Sequence, residues 1–287
     1  MKDLAYLNGE YVSRSGAVIS VEDRGFLFGD GVYEVVRVYS GKPFLMERHL
    51  ARLERSLHEI GLDESLLPCR VRDLAEISEK LVKSNEIGEG TVYIQITRGI
   101  GKRTHAFPAQ PKPTVLAMTY SLTSCHEKER EEGVRCITVP DDRWARCNVK
   151  SVNLLPNCIA KQTAAEAGCY EAIFVRDGFL MEGSSSNVFV VKDGTVVTPP
   201  LTNYILPGIT RGLVIKLCAD AGIPLLEASI PMREIALCSE LFLTGTTTEI
   251  MPVVALDGRQ IGDGRPGSKT RAIQRAYENY LRRFLTG

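Results

Sequence analysis

Residues 32–60 read VYEVVRVYSGKPFLMERHLARLERSLHEI, and the spacing of apolar side chains changes within them. From Tyr33 to Tyr39 the period is two. That predicts a strand with Tyr33, Val35, Arg37 and Tyr39 on one face and Glu34, Val36 and Val38 on the other. From Glu47 to Ile60 the period is that of a helix, with Leu50, Leu53, Leu57 and Ile60 as its apolar stripe and Gly61 as its stop. A strand feeding an amphipathic helix sets the expectation of an α/β protein. Arg52 lies away from that stripe, so helix geometry alone predicts a solvated arginine.

Outward from this unit the pattern continues. Ala5–Leu7 predicts a strand, 70–85 a helix, and TVYIQIT (91–97) and TVLAMTY (114–120) two more strands rich in β-branched and aromatic residues. Between them runs a long polar loop, RGIGKRTHAFPAQPKP (98–113), and loops of that length in compact domains are often functional. The polar stretch 121–126 is expected as a linker between a small N-terminal α/β domain (1–120) and a larger C-terminal domain (127–287). In the latter, strands are predicted at 133–139, 171–175, 186–191 and 240–243, and helices at 153–167, 210–221 and 270–284. RDGFLMEGSS (176–185) is predicted to be a loop joining two of those strands.

Composition narrows the function. The 287 residues are 44% apolar and 24% charged, ordinary for a globular protein. Lys plus Arg number 35 and Asp plus Glu number 35, so nothing in the charge balance predicts nucleic acid or an anionic membrane as partner. No apolar run reaches the roughly 18–20 residues of a membrane span, and no apolar h-region follows Lys2. The expectation is a cytoplasmic protein whose eight cysteines, none in a C-x-x-C pair, are free thiols. With four histidines and no cysteine pair at ligand spacing, no metal site is expected.

Phosphate-loop, zinc-protease and nucleophile-elbow motifs are absent; Gly29-Asp30-Gly31 and Gly99-Ile100-Gly101 are both G-x-G without the third glycine. Three places remain where an anion could sit: Arg52, the helix start Gly208-Ile209-Thr210, and Gly245-Thr246-Thr247-Thr248. By spacing alone Lys150 is a surface lysine and Glu182 a turn carboxylate.

Six separated segments, DRGFLFGDGVYEVVRV (23–38), RGIGKRTHAFP (98–108), RWARCNVKSVNLL (143–155), AKQTAAEAGCYEAIFVRDGFLMEGSSSNVF (160–189), LPGITR (206–211) and ELFLTGTTTEIMPV (240–253), change this reading. In this order they resemble the fold-type-IV pyridoxal phosphate enzymes, and within them the D-amino acid aminotransferases. The resemblance runs from Leu4 to the final helix. It implies a two-domain fold with a small α/β domain and a larger, cofactor-binding, mixed β-barrel-like domain.

It also implies residue roles. Lys150 would form the Schiff base with pyridoxal 5'-phosphate and move the substrate's α-proton. Glu182 would face the pyridine nitrogen. Arg52, Ile209, Thr210 and Thr246 would hold the phosphate, Ser185 would support the ring and Leu206 would pack near it. Tyr33, Arg103 and His105 would capture the α-carboxylate, with Arg103 and His105 supplied across a homodimer interface, and Val35 would border the side-chain pocket. Arg37 departs from the family's lysine, and a planar guanidinium there would alter recognition of acidic side chains.

The implied reaction passes an amino group from a D-amino acid to a 2-oxo acid, 2-oxoglutarate or pyruvate, in two half-reactions. The alternatives are an L-branched-chain aminotransferase, an aminodeoxychorismate lyase or an amine transaminase of the same fold. None of these needs an R-x-H pair at 103–105. A cofactor-binding protein without turnover is a further alternative, disfavoured by the presence of both Lys150 and Glu182.

Overall fold

The computed structural model describes residues 3–122 and 126–287. Residues 123–125 of the expected linker 121–126, Cys125 among them, lie outside the described residues. The chain divides into two compact units, Met1–Thr123 with Val149–Asn153, and Ser124–Asn148 with Leu154–Gly287.

The first unit is a six-stranded antiparallel sheet with helices. Its strands are β1 (Leu4–Leu7), β2 (Glu10–Ser13), β3 (Gly31–Tyr39), β4 (Lys42–Pro43), β5 (Gly90–Thr97) and β6 (Thr114–Ser121), in the order β2-β1-β6-β5-β3-β4. Its helices are α1 (Arg24–Phe28), α2 (Met46–Glu59) and α3 (Leu74–Ser84). The core face of β3 carries Val32, Val36 and Val38, which pack with Leu50, Leu53 and Leu57 of α2 and Leu74 and Leu81 of α3. The strand-to-helix reading of 32–60 thus describes the element that holds this unit together.

Val149–Asn153 packs with this unit, although the sequence reading put those residues in the C-terminal segment. The reason is local pairing. Tyr33 N–H donates to Lys150 O at 2.9 Å, Val152 N–H donates to Gly31 O at 3.1 Å, and Val149 is buried in the core under β3.

In the second unit the strands are β7 (Val134–Pro140), β8 (Glu171–Arg176), β9 (Phe179–Gly183), β10 (Asn187–Lys192), β11 (Thr195–Thr198), β12 (Leu225–Glu227), β13 (Ile230–Pro231), β14 (Glu240–Gly245), β15 (Glu249–Leu256) and β16 (Arg259–Gln260). Its helices are α4 (Glu127–Glu132), α5 (Leu155–Glu166), α6 (Ile209–Asp220) and α7 (Ser268–Thr286). Six strands close on themselves in the order β10-β14-β15-β7-β8-β9 and back to β10, giving the barrel-like mixed sheet. The pairs β15–β7 and β7–β8 are parallel; the other pairs in the ring are antiparallel. Leu180, Val188, Leu241, Leu243, Met251 and Val253 are buried in its core.

The segment 176–185, expected as a loop, is mostly strand β9. Asp177 and Gly178 both have positive φ, 52° and 80°, and join β8 to β9 as a two-residue hairpin with Arg176 opposite Phe179. That hairpin carries Glu182 round to Asn187, the pair that closes the ring. No helix among the described residues is long and apolar enough to cross a membrane.

Candidate active site

In the first unit the candidate side chains gather around β3 and α2. Glu34 shares the face of β3 that carries Val32 and Val36, so its carboxylate points into the core and is fully buried. A buried carboxylate needs partners. Arg52 donates from Nε to Oε1 at 2.7 Å and from its terminal nitrogen to Oε2 at 2.8 Å, and His49 Nδ1 lies 2.7 Å from Oε2. Burial alone would raise the Glu34 pKa, but the Arg52 charge and these bonds outweigh it and hold the carboxyl at about 2. Burial also pushes His49 below its usual value, against the pull of Glu34.

Arg52 is therefore a buried residue, 7% exposed, and not the solvated arginine that helix spacing predicts. On α2 it shares an inward edge with His49 and Ser56. Lys150 sits beside this cluster. Its backbone N–H lies 3.4 Å from Ser56 Oγ and its Nζ lies 4.3 Å from the centre of the Tyr33 ring. Among the described residues no carboxylate pairs with that Nζ. Tyr33 and Val35 are half-buried on the opposite face of β3 from Glu34. Arg37 on that face is occupied: its guanidinium donates to Val38 O and Gly90 O, each at 2.9 Å, and to Glu89 Oε2 at 2.7 Å, and stacks on Tyr39. The expected effect on acidic substrates thus has no free guanidinium to carry it.

Arg103 and His105 are exposed on the 98–113 loop. Both approach the Phe28 ring, with the Arg103 guanidinium carbon 5.7 Å and the His105 ring 5.8 Å from its centre.

In the second unit the centre is Glu182 on β9. Its Oε1 accepts from an Arg143 terminal nitrogen at 2.6 Å; its Oε2 accepts from Asn187 Nδ2 at 3.1 Å and from Leu206 N–H at 2.9 Å. Burial dominates and raises this carboxyl to about 7, against the lowering by Arg143 and Leu206. Arg143 is itself held by Asp141 through two bonds of 2.8 and 3.0 Å and lies over the Phe174 ring. Leu206 acts through its main chain, since its N–H binds Glu182 and its carbonyl accepts from Asn187 at 2.9 Å.

Ser185 is exposed, and its hydroxyl donates to the buried Glu171, which also accepts from Ser184 and Ser186. Ile209 and Thr210 are the first two residues of α6, and no side chain caps its start at Gly208. Thr246 is half-buried in the turn between β14 and β15.

The residues that sequence reasoning missed are Glu34, His49, Arg143, Asp141 and Asn187. Glu34 had a visible signal, because the alternation of β3 already places it on the apolar face. Asp141-x-Arg143 had none, because Arg143 reaches Glu182 across 39 residues only on folding, and Asn187 had none, because the local turn that brings it to Glu182 lies in a segment that reads as loop.

Comparison with known proteins identifies the family. The family model for amino-transferase class IV matches residues 31–256. The D-alanine aminotransferase of Staphylococcus aureus (strain N315) is 44% identical over 277 residues, 96% of this chain and 97% of that one. The Escherichia coli branched-chain amino acid aminotransferase superposes with a TM-score of 0.89 at 28% identity, covering 97% of this chain and 94% of that one. The branched-chain aminotransferase of the archaeon Thermoproteus uzoniensis, solved with norvaline, gives 0.84 at 31% identity, covering 96% and 93%. The chain belongs to the class IV aminotransferases.

Proposed function

We propose that this aminotransferase moves the amino group of a D-amino acid, D-alanine or D-glutamate, to a 2-oxo acid such as pyruvate or 2-oxoglutarate, using pyridoxal 5'-phosphate. The observation that carries the reaction type is Glu182, a buried carboxyl held from three sides and poised near pH 7. The D hand rests on the similarity to a D-alanine aminotransferase and on the pair Arg103 and His105.

The side chains fit such a cofactor. A carboxyl near neutrality matches a pyridine nitrogen that must hold a proton. The uncapped start of α6 offers free N–H groups to a phosphate, and a Cβ at Gly208 would meet Asn187 Oδ1 at 2.0 Å, so the approach there is kept open by glycine. The Lys150 amine is free of carboxylate partners among the described residues.

When bound, pyridoxal 5'-phosphate supplies the electron-accepting ring and the aldehyde that carries the amino group. Lys150 would anchor it covalently and move the proton at the substrate Cα. Glu182 would hold the proton at the ring nitrogen, with Arg143, Asn187 and Leu206 fixing the carboxylate. Arg52, Ile209, Thr210 and Thr246 would bind the phosphate, and Ser185 would support the ring. Tyr33, Arg103 and His105 would bind the α-carboxylate, and Val35 would border the side chain. Arg103 and His105 would serve the neighbouring subunit of a homodimer. Support for that face comes from Val21, Phe26, Ile100 and Phe107, apolar side chains left exposed in this unit. A cytoplasmic setting accords with the free cysteines among the described residues.

The test is a visible spectrum of the cofactor-loaded protein before and after D-alanine or L-alanine, in separate cuvettes. Loss of the yellow absorbance with D-alanine alone is the expected result. Bleaching by the L-form alone would overturn the D hand. An unchanged spectrum with any amino acid would overturn transamination, and a Lys150→Ala protein that retained full activity would overturn the role of Lys150.

A further inference from the structure

We propose that Arg24 is a positioning residue for substrate binding: its buried guanidinium sets the backbone of the Arg103–His105 segment, and through it the affinity for the α-carboxylate. The proposal rests on the carboxylate-binding role proposed above for Arg103 and His105.

Arg24 opens α1 and is 3% exposed. It faces the loop carbonyls. One terminal nitrogen donates to Thr104 O at 2.7 Å and to Ala106 O at 3.4 Å, and the other to His105 O at 3.4 Å. Three consecutive carbonyls therefore converge on one cation. Peptide planes turned inward in this way fix the backbone dihedrals around Thr104, His105 and Ala106, and with them the direction of His105 and the point at which Arg103 leaves the held segment.

The Arg24 guanidinium is itself braced. Its Nε donates to Asp30 Oδ2 at 2.7 Å, and Arg98, a fully buried side chain, donates from Nε to the same carboxylate at 2.9 Å. Arg98 is tied in turn to Ile60 O and Gly61 O at the end of α2, and its guanidinium lies 3.6 Å from the centre of the Phe107 ring. Phe28 sits 4.7 Å from the Arg24 guanidinium carbon and is the ring that Arg103 and His105 approach. Main-chain bonds seat the loop base: Arg24 N–H donates to Gly99 O at 2.9 Å and Gly101 N–H donates to Glu22 O at 3.2 Å.

A planar fork is the only side chain that can meet Asp30 with one edge and spread two nitrogens over three carbonyls. Lysine would keep the charge but concentrate its donors at one point. Removing Arg24 leaves Asp30 still paired with Arg98, so the interior keeps a satisfied carboxylate while the loop loses its clamp.

The experiment compares the holoenzyme with Arg24→Met, Arg24→Lys, Arg103→Ala and the Arg24→Met/Arg103→Ala double variant, measuring kcat and KM for D-alanine and the cofactor's visible spectrum. Arg24→Met should raise KM about tenfold or more, with kcat within about twofold and the spectrum unchanged, since misplacing binding groups weakens capture without touching the reacting atoms. Arg24→Lys should fall between, and it decides the matter if the methionine variant does not fold. In the double variant the Arg24 penalty should shrink, because one of the two groups it positions is gone while His105 remains. Equal falls in kcat and kcat/KM, an unchanged KM, or full additivity with Arg103→Ala would overturn the positioning role. If Arg103→Ala alone leaves KM unchanged, the carboxylate-binding reading falls first. A normal penalty there with no effect at Arg24 would sink only the present proposal.

Discussion

At Glu182 burial and function meet in one titration. Its pKa stands at about 7 in the folded protein against an ordinary 4.5. Between those values the folded form binds a proton that the unfolded form has released. The group therefore weighs against folding as pH rises: nothing is lost below about pH 4.5, and the full penalty is present above about pH 7. The two values lie about 2.5 pH units apart, worth about 3 kcal/mol. The prediction concerns cofactor-free protein unfolded by urea at pH 5 and pH 8. Relative to Glu182→Gln, the wild type should lose about 2.5 kcal/mol between those pH values, since a small part of the penalty is already present at pH 5. A pH-independent gap between the two proteins would show that Glu182 does not titrate in this range. A bound cationic ring nitrogen would remove the same penalty by holding the carboxylate in its charged form, which would link cofactor binding to stability above about pH 7.

At the scale of elements, β3 and α2 are pinned by Glu34 as well as by their valines and leucines. With Glu34 held at about 2, below its usual 4.5, its contribution to stability is complete above about pH 4.5 and is lost as pH falls toward 2. Glu34→Ala should cost about 3–5 kcal/mol at pH 7, because the buried Arg52 would lose the counter-charge of Glu34 and the neutral His49 its hydrogen-bond partner. Urea denaturation measures this, and a loss under about 1 kcal/mol would mean that the cluster relaxes into water. At the start of α6, Gly208→Ala should weaken cofactor binding about tenfold, by driving Asn187 off Glu182 through the Cβ clash. Equilibrium titration of cofactor-free protein would read it, and unchanged affinity would show that Asn187 can move without consequence.

The same elements show what a sequence can yield. Strong periodicity made β3, β5, β6, α2 and α7 legible, since each buries one regular face. β9 was hidden because FLMEG is short and follows Asp177-Gly178, read as loop punctuation although both residues supply the positive φ of a tight hairpin. β15 was hidden by Pro252, which sits opposite Phe242 in the ladder. Lys150 and Glu182 came from resemblance alone. What makes each distinctive is its surroundings, the Tyr33 ring in one case and the Arg143–Asn187–Leu206 cage in the other, and those arise only on folding.

For the whole molecule the decisive question, in the homodimer proposed above, is which chain's Arg103 would serve which chain's Lys150, and mixed dimers answer it. Lys150→Ala alone should be inactive, and Arg103→Ala alone should turn over only at raised substrate concentration. If Arg103 crosses to the neighbouring subunit, a dimer of one Lys150→Ala chain and one Arg103→Ala chain contains a site with an intact Lys150 and a partner's intact Arg103. Equal mixing with random exchange makes half of the dimers mixed, each with one such site, so about a quarter of all sites should regain the wild-type KM. Kinetics after unfolding and refolding the mixture would then show two phases, one with the low KM of the wild type. If Arg103 serves its own chain, every site in the mixture lacks either Lys150 or Arg103. The low-KM phase would then be absent at every mixing ratio, and the exposed 98–113 loop would have to reach its own subunit's substrate.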